Sequence, residues 1–320
     1  MLAFSRVLAG LILTAACMCA RAQSLPVFDP VFQINVSSAV VYGQGQVGSP
    51  APGSKALLLD LYRPIGANTG GLRSPAVVII HGGGFQGGTR TQPELVTIAR
   101  AMAARGFVAV SIDYRLVPDQ PVPSARVASL VGPATIGTSG ATFTQRVAAV
   151  AAIDDGLTAV DWLQANADLL SLDPQRIGLL GGSAGAITAV HMAYILDDYG
   201  ISASPFNFVV DLWGASLIPA NDPVAAANHL ETGESPLFVI HGTNDPTVPF
   251  TASELLVARA VNQALPHEFY PVVGAGHGFG AVNIFTLEAS PGVTLFSRMM
   301  TWSVQTVLGR DNLLRDGFEG

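Results

Sequence analysis

The sequence predicts an α/β fold built on a mostly parallel central sheet with helices on both faces. Short apolar runs of strand length, among them Val77-Val78-Ile79-Ile80, Ile177-Gly178-Leu179-Leu180 and Leu237-Phe238-Val239-Ile240, alternate with helix-length stretches. That alternation implies parallel strands covered from both sides. Each of these runs breaks into a glycine-bearing turn that also carries reactive side chains. Hydrophobic residues make up 49% of the chain and charged residues 12%, a core-rich composition that excludes a disordered protein. A length of 320 residues suits one large domain, which buries about three quarters of the surface its unfolded chain exposes.

Residues 1–22 read as a signal peptide: Arg6, an apolar stretch over 7–18, and Ala20-Arg21-Ala22 as a small-x-small cleavage signal before Gln23. Export to the periplasm or the cell exterior is therefore expected. The apolar stretch makes only ~18 Å of helix against ~30 Å of bilayer hydrocarbon, so a permanent membrane anchor is not. Cys17 and Cys19, the two cysteines, fall inside this segment, and the mature chain is expected to hold neither thiol nor disulfide. Lipidation of Cys17 is the alternative, with Thr14 standing where a Leu is usual. Cleavage removes Arg6 and Arg21 and takes the formal charge from -7 to -9.

Residues 23–309 read as the folded domain and 310–320 as a polar, frayed tail. Strands are expected at 39–42, 57–62, 77–80, 107–112, 177–180, 208–212, 237–240 and 269–273. A helix at 93–104 has Pro93 in its first turn and Gly106 at its stop. Further helices are expected at 147–166, 184–198, 252–262 and 293–308. Two stretches, 117–145 and 213–235, read as insertions that form either a small cap or surface decoration.

The chemistry collects after the strands. Ser183 lies in Gly181-Gly182-Ser183-Ala184-Gly185, between the run ending at Leu180 and a helix-like stretch. A serine on such a sharp turn projects its hydroxyl, and side chains at the flanking glycines would collide with strand and helix. The Ala184 amide then stands at a helix N-terminus, where developing negative charge is stabilised. Val77-Val78-Ile79-Ile80 runs into His81-Gly82-Gly83-Gly84-Phe85, a turn able to aim backbone amides at an oxyanion. Asp245 follows the third run in His241-Gly242-Thr243-Asn244-Asp245, and His277 follows the expected strand Phe269-Tyr270-Pro271-Val272-Val273 in Gly274-Ala275-Gly276-His277-Gly278. The order Ser, Asp, His is that of α/β-hydrolases.

On these motifs the chain resembles carboxylesterases and lipases of the α/β-hydrolase superfamily, on the branch with an HGGG loop that includes bacterial hormone-sensitive-lipase-like enzymes. The resemblance covers roughly residues 40–308 and includes Asp113-Tyr114-Arg115-Leu116 and Leu172-Asp173-Pro174. Gly182 stands where that branch has an acid before the serine, and Ala186 where it has a second glycine. The Asp245 segment is also similar to dienelactone hydrolases and prolyl-oligopeptidase-like peptidases. The resemblance implies ester hydrolysis through an acyl-enzyme. Ser183 would be nucleophile, His277 general base and Asp245 the acid that orients it, with Gly83, Gly84 and Ala184 as oxyanion donors.

A serine peptidase or amidase, and a non-catalytic binding protein, are the competing classes. Asp222, Glu231 and Glu234 are the fallback acids. His81 and His241 are expected to shape turns, His191 lies one helical stretch past the serine, and His229 and His267 lack a glycine-rich setting. Asp113 is expected to be a structural partner, and Asp154 and Asp155 solvated or capping groups on their helix. No cofactor or metal is called for. The expected substrate is a small or polymer-linked ester, with short acyl chains preferred because 117–145 is mostly small and polar. Lys55 is the only lysine, no basic cluster is visible and the net charge is -7, so nucleic acid and anionic membranes are not expected partners. Oligomeric state is left open.

Overall fold

The computed structural model describes residues 25–48, 50–132, 142–203, 205–216, 230–279 and 283–309. Residues 1–22, expected to be a signal peptide, the expected tail at 310–320, Asp222, His229 and the middle of both insertions lie outside the described residues.

Two long strands open the chain, β1 (Ile34–Val47) and β2 (Gly53–Pro64), paired antiparallel. Both outrun the expected short segments, because register shifts between Ser37 and Val40 and between Val41 and Gly43 interrupt the apolar alternation without ending the ladder. At the first shift Ala39 takes a positive φ of 55°, and its amide donates to Asp60 Oδ1 at 2.8 Å.

Then come β3 (Ser74–Ile80), α1 (Pro93–Ala103), β4 (Val108–Ile112), the short β5 (Pro121–Val122), which pairs antiparallel with β1, α2 (Phe143–Ala165), α3 (Ala167–Leu170), β6 (Leu172–Gly182), α4 (Ala184–Tyr194), β7 (Val209–Leu212), β8 (Leu237–Gly242), α5 (Phe250–Asn262) and β9 (His267–Val272). A small hairpin, β10 (Glu288–Ser290) and β11 (Val293–Thr294), leads into α6 (Leu295–Leu308). Among the described residues the main sheet has the order β5-β1-β2-β4-β3-β6-β7-β8-β9, parallel from β4 to β9.

Strand β3 shows why the runs read as continuously apolar. Ala76, Val78 and Ile80 face the core containing α2, α4 and α5, while Val77 and Ile79 face the one containing α1 and α6. Successive side chains on a strand point to opposite faces, so a sheet covered on both sides needs apolar residues at every position.

Helix α2 begins at Phe143, four residues before the expected start. Thr142 and Gln145 form a capping box, with the Gln145 amide donating to Thr142 Oγ1 at 3.2 Å and the Thr142 amide to Gln145 Oε1 at 3.0 Å. Helix α4 stops at Tyr194, short of residue 198; Asp197–Tyr199 form a separate 3-10 turn ended by Gly200 in the left-handed region. The described part of the first insertion belongs to the sheet edge, with β5 pairing to β1 and Val127 and Leu130 packed in the α2 core.

One expectation is overturned. Asp154 and Asp155 are not solvated capping groups; both are buried, with Asp155 only 1% exposed. The Arg115 guanidinium lies between them, Nη2 donating to Asp154 Oδ2 at 2.9 Å and to Asp155 Oδ1 at 2.7 Å, while the Arg115 amide donates to Asp155 Oδ2 at 2.7 Å. Arg115 Nη1 also reaches the carbonyls of Gln46 and Val122. Helix α2 is thereby tied to the turn after β4 and to strands β1 and β5. Charges taken this far from water persist only when paired and fully hydrogen-bonded.

Candidate active site

Ser183 occupies the corner between β6 and α4 with φ 54° and ψ −121°, a conformation that is strained for any residue with a side chain. Backbone bonds on either side hold it there. Its amide donates to the Leu212 carbonyl at 2.9 Å, and its carbonyl accepts the Ile187 amide at 2.9 Å as the first turn of α4. A Cβ added at Gly181 would lie 2.2 Å from the Gly185 carbonyl carbon, and one at Gly185 would lie 2.0 Å from the Ile80 carbonyl oxygen. The elbow therefore needs both glycines for close approach, and β6, α4 and the end of β3 meet at one point.

The same packing brings in the glycine loop after β3. A Cβ at Gly82 would stand 3.1 Å from that of Ser183. Gly83 and Gly84 have φ of 119° and 62°. The Gly83 carbonyl accepts the amides of Gln86 and Gly87 at 3.0 and 3.2 Å, closing the turn. Ala184 is the first residue of α4, so its amide has no acceptor within the helix.

His277 sits just beyond β9 with its ring between the other two groups. Nε2 lies 2.8 Å from Ser183 Oγ, and Nδ1 lies 2.7 Å from Asp245 Oδ2. Asp245 Oδ1 accepts the amides of Thr247 and Val248 at 2.8 and 2.9 Å. Burial pushes this carboxyl upward, but the bonds from His277 and from the Val248 and Thr247 amides outweigh it and hold it below its ordinary value. An ionised Asp245 fixes His277 as the Nδ1–H tautomer, which leaves the Nε2 lone pair facing the serine hydroxyl.

The fallback acids that the structure describes do not compete. Glu231 and Glu234 precede β8 while Asp245 follows it, and the Glu231 amide donates to Glu234 Oε2 at 2.6 Å. Asp113 binds Arg90, through the Arg90 amide at 2.7 Å and an ion pair to Nη1, so it anchors the segment that follows the glycine loop. His81 is buried, stacked on Tyr114 with ring centroids 4.2 Å apart, and its desolvation favours the neutral ring.

Two neighbours were not legible in the sequence. Trp213, at the end of β7, has φ 49°, and its ring lies 3.5 Å from where a Gly182 Cβ would stand; it packs edge-on against Phe279 at 4.7 Å. His241, expected to shape a turn, does span its loop to the Val248 carbonyl at 3.0 Å, and it also places Nε2 3.1 Å from Asp245 Oδ2, the oxygen that also meets His277. The HGTND spacing of four residues between His241 and Asp245 was the available signal.

A parallel sheet, a serine corner after β6, and an acid and a histidine after β8 and β9 define the α/β-hydrolase fold, and this chain has it. A family model described as alpha/beta hydrolase fold matches residues 147–210, and the BD-FAE family model matches residues 59–127. By sequence the chain is similar to carboxylesterase NlhH of Mycobacterium tuberculosis, 34% identical over 126 residues that are 39% of this chain and 31% of that one. It is also similar to esterase LipQ of the same organism, 25% identical over 81% of this chain and 60% of that one. The chain thus spans less than two thirds of the length of these curated relatives, 31% of one and 60% of the other. Among solved structures, the propionate-bound esterase Est2 of Thermogutta terrifontis superposes with a TM-score of 0.57 and 24% identity, over 90% of this chain and 96% of that one.

Proposed function

We propose that the protein is a serine carboxylesterase in which Ser183, His277 and Asp245 act as nucleophile, base and orienting acid. The observation that carries this reading is the His277 ring bridging Ser183 Oγ and Asp245 Oδ2 at 2.8 and 2.7 Å. Ser183 Oγ attacks the acyl carbon as its proton passes to His277 Nε2. The tetrahedral oxyanion is taken up by the amides of Gly83, Gly84 and Ala184. Its collapse breaks the ester C–O bond, and His277 returns the proton to the leaving alcohol. Water, deprotonated by His277, then attacks the acyl-enzyme and releases the acid. Asp245 stabilises the imidazolium formed in both halves without itself taking the proton.

The carboxylesterase and esterase relatives support ester over amide substrates. We assign short acyl chains to the site because the 117–132 stretch is bound into the sheet edge through β5 and offers no long apolar lid. The signal segment supports export, with the mature chain starting at Gln23.

A fluorophosphonate probe should label the wild type on Ser183 and leave Ser183→Ala unlabelled. A panel of p-nitrophenyl esters should give higher kcat/KM at C4 than at C12, and amides should be turned over far more slowly. An unlabelled wild type defeats the hydrolase reading, and a C12 preference defeats the chain-length assignment. Mass spectrometry of exported protein should find Gln23 at the N-terminus; an intact Met1 or a lipid on Cys17 would contradict export by cleavage there.

A further inference from the structure

We propose that His241 is a positioning residue for the triad, a neutral second histidine that donates from Nε2 to the same oxygen of Asp245 that receives His277. This rests on the hydrolase reading above. The His241 ring is fully buried, and both of its nitrogens have partners. Nε2 faces two acceptors, Asp245 Oδ2 at 3.1 Å and the Val248 carbonyl at 3.0 Å. An atom placed between a carboxylate and a carbonyl must carry a proton, or it meets only lone pairs. Nδ1 faces Ser253 Oγ at 2.6 Å. In a neutral ring with its proton on Nε2, Nδ1 can only accept, so the Ser253 hydroxyl donates to it. The other acceptor within reach of that hydroxyl, the Gly214 carbonyl, is farther away at 3.5 Å.

The charged and titratable groups facing this ring are few. Asp245 lies in its own loop and His277 beyond β9. Helix α5 presents Ser253 and the Phe250 ring, the latter edge-on at 5.8 Å. Asp211 of β7 is held by the Gly214 amide at 2.7 Å, and the Gly214 carbonyl lies 3.5 Å from Ser253 Oγ. Burial pushes the His241 pKa down, and the Val248 carbonyl and Asp245 only partly offset it, which agrees with a neutral ring.

A chain of donors thus runs from α5 to the nucleophile: Ser253 to His241, His241 to Asp245, His277 to Asp245 and Ser183 to His277. With two donors on Oδ2 and two amides on Oδ1, the carboxylate cannot rotate without losing bonds. The His241 donor also draws negative charge from the oxygen that holds His277. Its removal has two effects: the acid is less tightly held, and its pull on the imidazolium is stronger.

The test uses three variants of the full-length mature protein. His241→Leu deletes the donor, His241→Gln keeps an N–H at the Nε2 position, and Ser253→Ala removes the hydroxyl that fixes the ring. His241→Leu is expected to lower kcat about 10–100-fold, since small misplacements of catalytic groups cost that much, with KM changed less than about threefold. The acid limb of its kcat/KM profile should move to higher pH by roughly half a unit or more. His241→Gln should recover most of the loss, and Ser253→Ala should show a smaller version of it. Independently of activity, ring-nitrogen NMR of 15N-histidine-labelled wild type should show His241 as the Nε2–H tautomer, not titrating between about pH 5 and 8. A protonated Nδ1 or a titrating His241 overturns the proposal, even if His241→Leu fails to fold. So does a folded His241→Leu enzyme with wild-type kcat and pH profile. A wild type that hydrolyses no ester defeats the hydrolase reading instead, and the NMR result still decides how His241 is held.

Discussion

The α-carbon of Gly185 approaches Ile80 so closely that a Cβ there would stand 2.0 Å from the Ile80 carbonyl oxygen. Ile80 is the last residue of β3, and the glycine loop starts at the next position. This contact sets the depth of the serine corner against that loop, and with it the distance from Ser183 Oγ to the Gly83 and Gly84 backbone. Gly185→Ala should therefore push α4 away from β3. The expected result is a loss of kcat/KM of at least about 100-fold with a destabilisation of about 1–3 kcal/mol, as overpacking costs. Melting curves and steady-state kinetics on the purified variant check both, and an active, unshifted variant contradicts the steric account.

Ser183→Ala should lower kcat by roughly 10⁶ while leaving the melting temperature at or above that of the wild type. The side chain leaves no cavity of note, and the strained backbone is held by the Leu212 and Ile187 bonds rather than by the hydroxyl. Esterase activity within about tenfold of wild type would remove Ser183 as nucleophile.

Asp245→Asn should cost up to ~10⁴ in kcat, because an amide presents an N–H where His277 Nδ1–H needs an acceptor, favouring the wrong tautomer. Glu231→Gln and Glu234→Gln should stay within about twofold of wild type, since both residues sit at the other end of β8 from His277. Kinetics on the three variants would expose a misassigned acid directly.

Two buried acids give stability opposite pH dependences. Asp245 is held below its ordinary value, so it contributes stability above its unfolded pKa, and that is lost as pH falls through its lower folded one. Asp211 on β7 is pushed up from 3.8 to about 7, because burial outweighs the single bond from the Gly214 amide. A raised carboxyl binds its proton more tightly in the folded state. Its stabilisation is therefore full below the unfolded value and disappears as pH rises towards 7. Asp211→Asn should flatten the fall in stability between about pH 4 and 7, measured by denaturant melts at several pH values. An unchanged slope would assign the dependence to other groups.

Asp155→Ala should destabilise the protein by about 3–5 kcal/mol, because it leaves the Arg115 guanidinium buried with half of its carboxylate partners. Replacing Arg115, Asp154 and Asp155 together by apolar residues of similar volume should cost less than the single change. Equilibrium unfolding of both variants separates a broken ion pair from lost packing.

The same network marks where reading along the chain stops. Asp154 and Asp155 looked like surface charges on a helix because nothing near them in sequence is basic; Arg115, 40 residues before Asp155, is brought to them by the turn after β4. His241 read only as a turn residue because its further partner, Ser253, belongs to the next helix. The start of α2 was hidden differently: Thr142 and Gln145 carry the capping signal, but the polar stretch before them reads as loop until the two side chains are seen to bond.

Residue order alone is enough to specify the alternating α/β architecture, the strand ends that carry Ser183, Asp245 and His277, and the glycines at the serine corner. Those features are local: a doubly covered strand needs an unbroken apolar run, and a left-handed or crowded backbone position needs glycine, so each leaves its mark within a few residues. Tertiary structure alone decided which acid meets His277, that two histidines share Asp245 Oδ2, and that three charges lie buried between α2 and the sheet edge. Those are contacts between residues distant in sequence. Each depends on the register and angle at which strands and helices pack, which the identity of a single residue does not encode.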